Sequence, residues 1–190
     1  MKKILTLLTL CSLSSLTIQA AELEQNEMKE KESNFYVAAK AIVTLGDSID
    51  EEEVTLEGDN GIGIGIDLGY KLGYGFSVEV DGTYVSNNVT ETQENGDSET
   101  FTASYITSSI DIAYKYPITH EVGVVLKTGY EYEIEKINDL DIDNTETGFV
   151  FAGAVEYEVS EHGAILAEYE VTTIDGPRGN SVFLGMLYSF

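Results

Sequence analysis

The sequence predicts an all-β chain: a closed, antiparallel, eight-stranded up-and-down transmembrane β-barrel. Three observations predict it. Eight stretches alternate apolar with polar or small residues at period two, as a strand with two unlike faces must. The connections between them are alternately tight and long, the layout of a membrane barrel. The last stretch, Ser181 to Phe190, carries no charge and ends on an aromatic residue. A water-soluble chain rarely finishes on an exposed apolar row, whereas a strand facing lipid would.

Residues 1–21 precede that pattern. Lys2 and Lys3 lead an apolar run from Ile4 to about Leu16, followed by small residues ending at Ala20 and Ala21. This is the layout of a secretory signal peptide, too short and wrongly flanked for a spanning helix. Cys11 lies within it behind Leu10, which does not suit the small residue that lipoprotein processing needs. No cysteine remains once the leader is removed, so the exported chain must fold without disulfides. Residues 22–33 are polar, lack apolar periodicity and read as a linker. Residues 34–190 form the barrel.

The full chain holds 34 acids against 10 bases, and loss of Lys2 and Lys3 leaves 8 bases and a net charge of −26. Such a balance argues against nucleic acid and against attraction to anionic headgroups. It is compatible with a barrel whose charges sit in the loops and the lumen.

The strands follow in order. Phe35, Val37, Ala39, Ala41 and Val43 alternate with Tyr36, Ala38, Lys40, Ile42 and Thr44. Ile62, Ile64, Ile66, Leu68 and Tyr70 alternate with glycines, Asp67 and Lys71. Phe76, Val78, Val80 and Tyr84 alternate with Ser77, Glu79, Asp81 and Thr83. Ile106, Ile110, Ile112 and Tyr114 alternate with Thr107, Ser109, Asp111 and Lys115. Val122, Val124, Leu126, Tyr130 and Tyr132 alternate with Gly123, Lys127, Gly129, Glu131 and Glu133. Phe149, Phe151, Val155 and Tyr157 alternate with Val150, Ala152, Ala154 and Glu156. Ile165, Ala167, Tyr169 and Val171 alternate with Glu168, Glu170 and Thr172. Val182, Leu184, Met186, Tyr188 and Phe190 form one face of the eighth strand. Tight turns are expected around 72–75, 116–120 and 159–162. Longer polar loops are expected around 46–60, 86–100, 134–147 and 173–180.

Alternation alone does not say which face is inside, since a soluble barrel also alternates. Side-chain size decides. Glycines dominate the polar face, suiting a narrow bore. Branched and aromatic residues dominate the other, suiting lipid. Aromatic residues also gather in two belts, where a ring is apolar and a tyrosine hydroxyl meets water. Phe35, Tyr70, Tyr74, Phe76, Tyr114, Tyr116, Tyr157, Tyr188 and Phe190 mark the short-turn belt. Phe101, Tyr130, Tyr132, Phe149, Phe151 and Tyr169 mark the long-loop belt.

With these features the chain resembles the small outer-membrane barrels of the OmpX and opacity-protein type. The ending carries the resemblance most specifically: Val182, Leu184, Met186, Tyr188 and Phe190 match the alternating apolar residues, third-from-last aromatic and terminal Phe of that group. The resemblance implies recognition of this strand by the barrel-assembly machinery during insertion. It implies an outer-membrane location among membrane lipid and lipopolysaccharide. It also implies a structural or surface-interacting role. Both termini are expected in the periplasm, with the long loops extracellular and the protein a monomer. The extracellular partner is not readable from sequence, and no cofactor is expected.

Candidate chemistry is sparse. Lys40, Asp67, Glu79, Asp81, Asp111, Lys127 and Glu168 fall on the lumen face near mid-height, with Lys71 and Lys115 nearer the short-turn rim. Eight strands leave an interior only wide enough for side chains. Paired charges there would plug it, with acids in excess held by water or protons. A narrow cation-preferring pore is the alternative, and a soluble exported barrel binding an apolar ligand is a third reading. Gly61, Gly63 and Gly65 superficially resemble a phosphate loop, but the alternation runs on and no helix follows. His120 and His162 both fall in short turns, away from outer-leaflet lipid, so no enzyme is expected. Asp139, Asp141 and Asp143 begin like a calcium loop but lack its glycine and its final acid. A solvated acidic surface or a strand extension is the simpler reading.

Overall fold

The computed structural model describes residues 33–51, 54–137 and 142–190. The expected leader, most of the linker, and Asp139 and Asp141 of the calcium-loop candidate lie outside those residues. Among the described residues there are ten strands: β1 (Phe35–Thr44), β2 (Ser48–Glu51), β3 (Val54–Gly58), β4 (Gly61–Gly73), β5 (Phe76–Gln93), β6 (Ser98–Pro117), β7 (Val122–Ile137), β8 (Ile142–Glu158), β9 (Gly163–Thr172) and β10 (Ser181–Ser189). Eight of them, β1 and β4 to β10, pair antiparallel with their neighbours in a ring. The two chain-terminal strands meet in it: Val37 lies opposite Tyr188 and Val43 opposite Val182. The ring leaves no open edge in the barrel wall, so the backbone groups there are satisfied without solvent.

The outward face is apolar on every barrel strand. Ile62, at 74% exposure, and Ile64, Ile110, Leu126 and Met186 stand fully outside, as the period-two reading expects. In water this surface would be a large hydrophobic liability; against hydrocarbon it is at home. Aromatic pairs tie neighbouring strands at the belts: Phe35 with Tyr70, Phe76 with Tyr114, and Tyr130 with Phe149. Each stands beside its partner in the strand register. Tyr84 joins the belt at the long-loop end, half exposed and bonded near Ser104.

Inward glycines stand opposite three of the inward polar side chains. Lys40 lies between Gly65 and Gly185, Tyr36 opposite Gly69, and Asp111 opposite Gly129. A Cβ on Gly69 would fall 2.0 Å from the Tyr36 ring, and one on Gly129 would fall 1.8 Å from Asp111 Oδ1. These glycines leave room for the facing side chains in a narrow bore.

Three expectations are corrected. The 86–100 and 134–147 loops are largely strand: β5 and β6 stay paired out to Thr92 and Ser98, and β7 and β8 out to Ile137 and Ile142. A hairpin rising beyond the membrane needs only backbone pairing, so its residues carry no lipid-facing stripe to reveal it. The 46–60 loop contains the β2–β3 hairpin, whose β3 adds to the upper part of β5. Phe101 is not in a lipid belt. It shares parity with Ala103 and Tyr105 and packs on an inner apolar cluster of Ile42, Val85, Val89, Ala103, Tyr105, Ile137 and Phe183. The expectation of a glycine-lined, polar interior overlooked this cluster, which lies inside the barrel toward its long-strand end.

Candidate functional site: the charged lumen and its mouth

All seven expected lumen residues point into the bore. Six form one ion-paired layer. Lys40 Nζ sits 2.8 Å from Asp67, 2.6 Å from Asp81 and 3.7 Å from Glu168. Lys127 Nζ sits 2.6 Å from Glu79, 2.8 Å from Glu168 and 3.6 Å from Asp67. Asp67 and Glu168 therefore bridge the two ammonium groups. The carboxylates come from β4, β5 and β9, and the lysines from β1 and β7, so the layer spans the bore. Lys40 is further held over the Phe183 ring at 4.4 Å, a cation–π contact.

The seventh residue, Asp111, is buried but meets neither lysine; Ser109 donates to its Oδ2 at 2.5 Å. Tyr36, unmentioned by the charge pattern, completes the layer from the short-turn side by donating to Glu79 and accepting from the Ser77 hydroxyl. Thr83 and Thr107, opposite each other on the adjacent strands β5 and β6, hydrogen-bond to one another on the inner face. At the short-turn rim, Lys115 meets Glu156 at 2.7 Å and Glu158 at 2.6 Å, and Lys71 donates to Ser189.

A second layer was not anticipated. Arg178, the only arginine in the chain, folds inward from the 173–180 connection and is 3% exposed. Its guanidinium spans Glu131 at 2.8 Å and Glu133 at 2.7 Å, both on β7. Thr172 also donates to Glu131. The same connection is anchored by Asn87, which donates to Pro177 O, and by Leu45 N, which donates to Asn180 O. A singular arginine beside Pro and Gly was the one sequence signal for this; loops carry no periodicity that would aim it inward.

His120 and His162 lie at the short-turn end, His162 against the Tyr188 ring. Gly61 to Gly65 lie within continuous β4. Asp143 sits in β8 with Lys136 Nζ at 3.7 Å.

A closed ring of eight antiparallel strands, apolar without and ion-paired within, defines a transmembrane β-barrel. The chain belongs to the outer membrane protein beta-barrel domain family, whose model matches residues 7–190. Solved structures agree in fold. The outer membrane protein OprG from Pseudomonas aeruginosa is 12% identical, with 84% of this chain and 97% of that one covered and a TM-score of 0.68. Neisserial surface protein A is 17% identical, with 85% and 100% covered and a TM-score of 0.59. Yersinia pestis Ail in a phospholipid nanodisc is 14% identical, with 84% and 100% covered and a TM-score of 0.53. No curated protein matches the sequence.

Proposed function

We propose that this protein is a surface-interacting or structural outer-membrane barrel with a sealed lumen, and not a porin or an enzyme. The observation that carries this reading is the doubly bridged layer of Lys40 and Lys127 with Asp67, Glu79, Asp81 and Glu168. An ion entering would have to break pairs that are themselves out of water, and separating buried charges is costly. The Arg178 layer and the inner apolar cluster stand in series with it.

Residues 1–21 act as the export signal, and Val182, Leu184, Met186, Tyr188 and Phe190 as the signal read by the barrel-assembly machinery. The short turns and both termini face the periplasm. The raised β5–β6 and β7–β8 hairpins and their acids face outward, beyond the lipopolysaccharide leaflet. The barrel works as a monomer, since its closed wall leaves no unpaired strand to share.

Planar-bilayer recording tests the sealed lumen. Purified protein is expected to give no steady conductance, and steady nanosiemens-scale openings would establish the pore reading instead. Protease treatment of intact cells tests orientation: cleavage within 94–97 is expected, and protection of that turn would reverse the assignment.

A further inference from the structure

Above the lipid belt, β5 and β6 run on together as a hairpin with two unlike faces. Asn88 lies opposite Thr102, Thr90 opposite Thr100 and Thr92 opposite Ser98. These residues alternate with the buried Val89 and Ala103, so they face away from the barrel axis. None is charged, and all but the half-buried Thr90 are exposed. We propose that this face binds the uncharged sugar residues of neighbouring lipopolysaccharide.

Charge placement is the first support. The chain carries 34 acids, yet on this hairpin they keep to the other face and the tip. Glu91 stands directly opposite Glu99, both at the parity of Val89, and Glu94 and Asp97 lie beyond the last strand pair. Two carboxylates opposite one another repel, a cost that moving one of them to the other face would spare. Lipopolysaccharide carries anionic groups among its sugars, and a carboxylate turned toward it would be repelled. Charge returns at the flanks, with Glu57 of β3 beside Thr90 and Lys136 of β7 beside Ser104.

The second support is independent of charge. Thr90 and Thr100 hydrogen-bond at 3.0 Å, and Thr102 donates to Asn88 Oδ1 at 3.4 Å. The threonine pair uses one of its two O–H groups in that bond. The other proton, and lone pairs on both oxygens, remain for a ligand. Cross-strand bonding thus fixes in advance the direction of groups that both donate and accept, as sugar hydroxyls do, which lowers the entropy lost on binding. The side chains form a regular grid, with steps of about 7 Å along a strand and about 5 Å between strands.

Continuity with the lipid-facing wall names the source. The Tyr84 hydroxyl in the belt lies 3.4 Å from Ser104 Oγ, and Asn88 follows four residues further along β5. From Asn88 to Thr92 the strand rises about 14 Å along its own axis. Sugars attached to lipid packed against the barrel stand beside that stretch. A ligand arriving from the medium would meet the acidic tip first.

The inference rests on the outward-facing reading of the hairpins, which the protease test on cells addresses by itself. Binding is measured in vesicles carrying the additive in both leaflets, so insertion direction does not matter and either reading can fail alone. Protein is refolded into phospholipid vesicles containing lipopolysaccharide with its core saccharide, or lipid A without sugar. Urea unfolding is followed by gel mobility of unboiled samples. The saccharide is expected to raise the folding constant of the wild-type protein about tenfold. Combining Thr90→Val, Thr92→Val, Thr100→Val and Thr102→Val keeps the β-branched shapes without the hydroxyls, and should cut the gain to about twofold or less. Glu91→Gln with Glu99→Gln, on the opposite face, should keep the full gain. If the fourfold variant does not insert, Thr90→Val with Thr100→Val decides, with an expected gain of about threefold. No saccharide-dependent gain in the wild-type protein, or an equal gain in the valine variants, would overturn the proposal. An equal gain from dextran added to the lipid A vesicles would overturn it too, since the sugar need not then belong to lipopolysaccharide.

Discussion

Lys127 offers the sharpest perturbation of the lumen. Its ammonium lies 2.6 Å from Glu79, 2.8 Å from Glu168 and 3.6 Å from Asp67. Lys127→Met keeps most of the volume and removes the charge. Glu79 then loses its close cation and keeps only the Tyr36 hydroxyl, and Glu168 is left with Lys40 at 3.7 Å. Breaking one side of a buried pair costs about 3–5 kcal/mol, because the surviving charge stays buried without compensation. That is roughly two to three and a half orders of magnitude in the folding constant. Equilibrium urea unfolding from phospholipid vesicles, followed by gel mobility of unboiled samples, reads it directly. Adding Glu168→Gln should recover part of the loss, since the leftover carboxylate is then neutral. A destabilisation below about 1 kcal/mol, the range of solvent-exposed pairs, would mean that the carboxylates are hydrated and the layer does not seal the bore.

Three further perturbations probe other levels of the account. Ile66 faces outward midway along β4, so Ile66→Arg should cost about 2–4 kcal/mol in the same vesicle assay, and a neutral result would place that face in water. Gly69→Ala drives a methyl into the Tyr36 ring and should cost about 1–3 kcal/mol. Gly82→Ala, where nothing lies within 4 Å, should be near neutral, and equal effects at the two sites would refute the small-opposite-large packing of the lumen. Deleting Phe190 should lower the amount of protein reaching the outer membrane, measured by blotting fractionated cells, and normal levels would contradict its role as an assembly signal.

What could be read from the sequence follows from which residues meet lipid. Ile62 to Tyr70 alternate because one face sees hydrocarbon and the other a crowded bore, and the membrane enforces that difference residue by residue. Lys40 and Lys127 were legible as lumen cations because any charge on those strands has only one place to go. Above the membrane the enforcement stops. Asn87 to Thr92 and Ser98 to Thr102 pair as strand without a lipid-facing stripe, and their polar residues look like loop. Phe101 was placed in a lipid belt on composition, although counting parity from Ile106 turns it inward. Arg178 lay in a segment with no period, so its burial depends on the Glu131 and Glu133 pair that β7 presents across the mouth. Pairing partners within the lumen are three-dimensional facts: Asp67 reaches both lysines because β1, β4 and β7 converge on one level of a ring.

The central claim is that the face bearing Ile62, Ile64, Ile66 and Leu68 meets lipid while Gly63, Gly65, Asp67 and Gly69 line a sealed interior. Single cysteines placed in turn at positions 62–69 of a chain lacking Cys11, then spin-labelled in lipid vesicles, test it most directly. The account predicts a period-two oscillation, with the even positions open to dissolved oxygen and closed to a water-soluble nickel chelate. Even positions open to the chelate, or no oscillation across β4, would contradict a membrane-spanning barrel of this register.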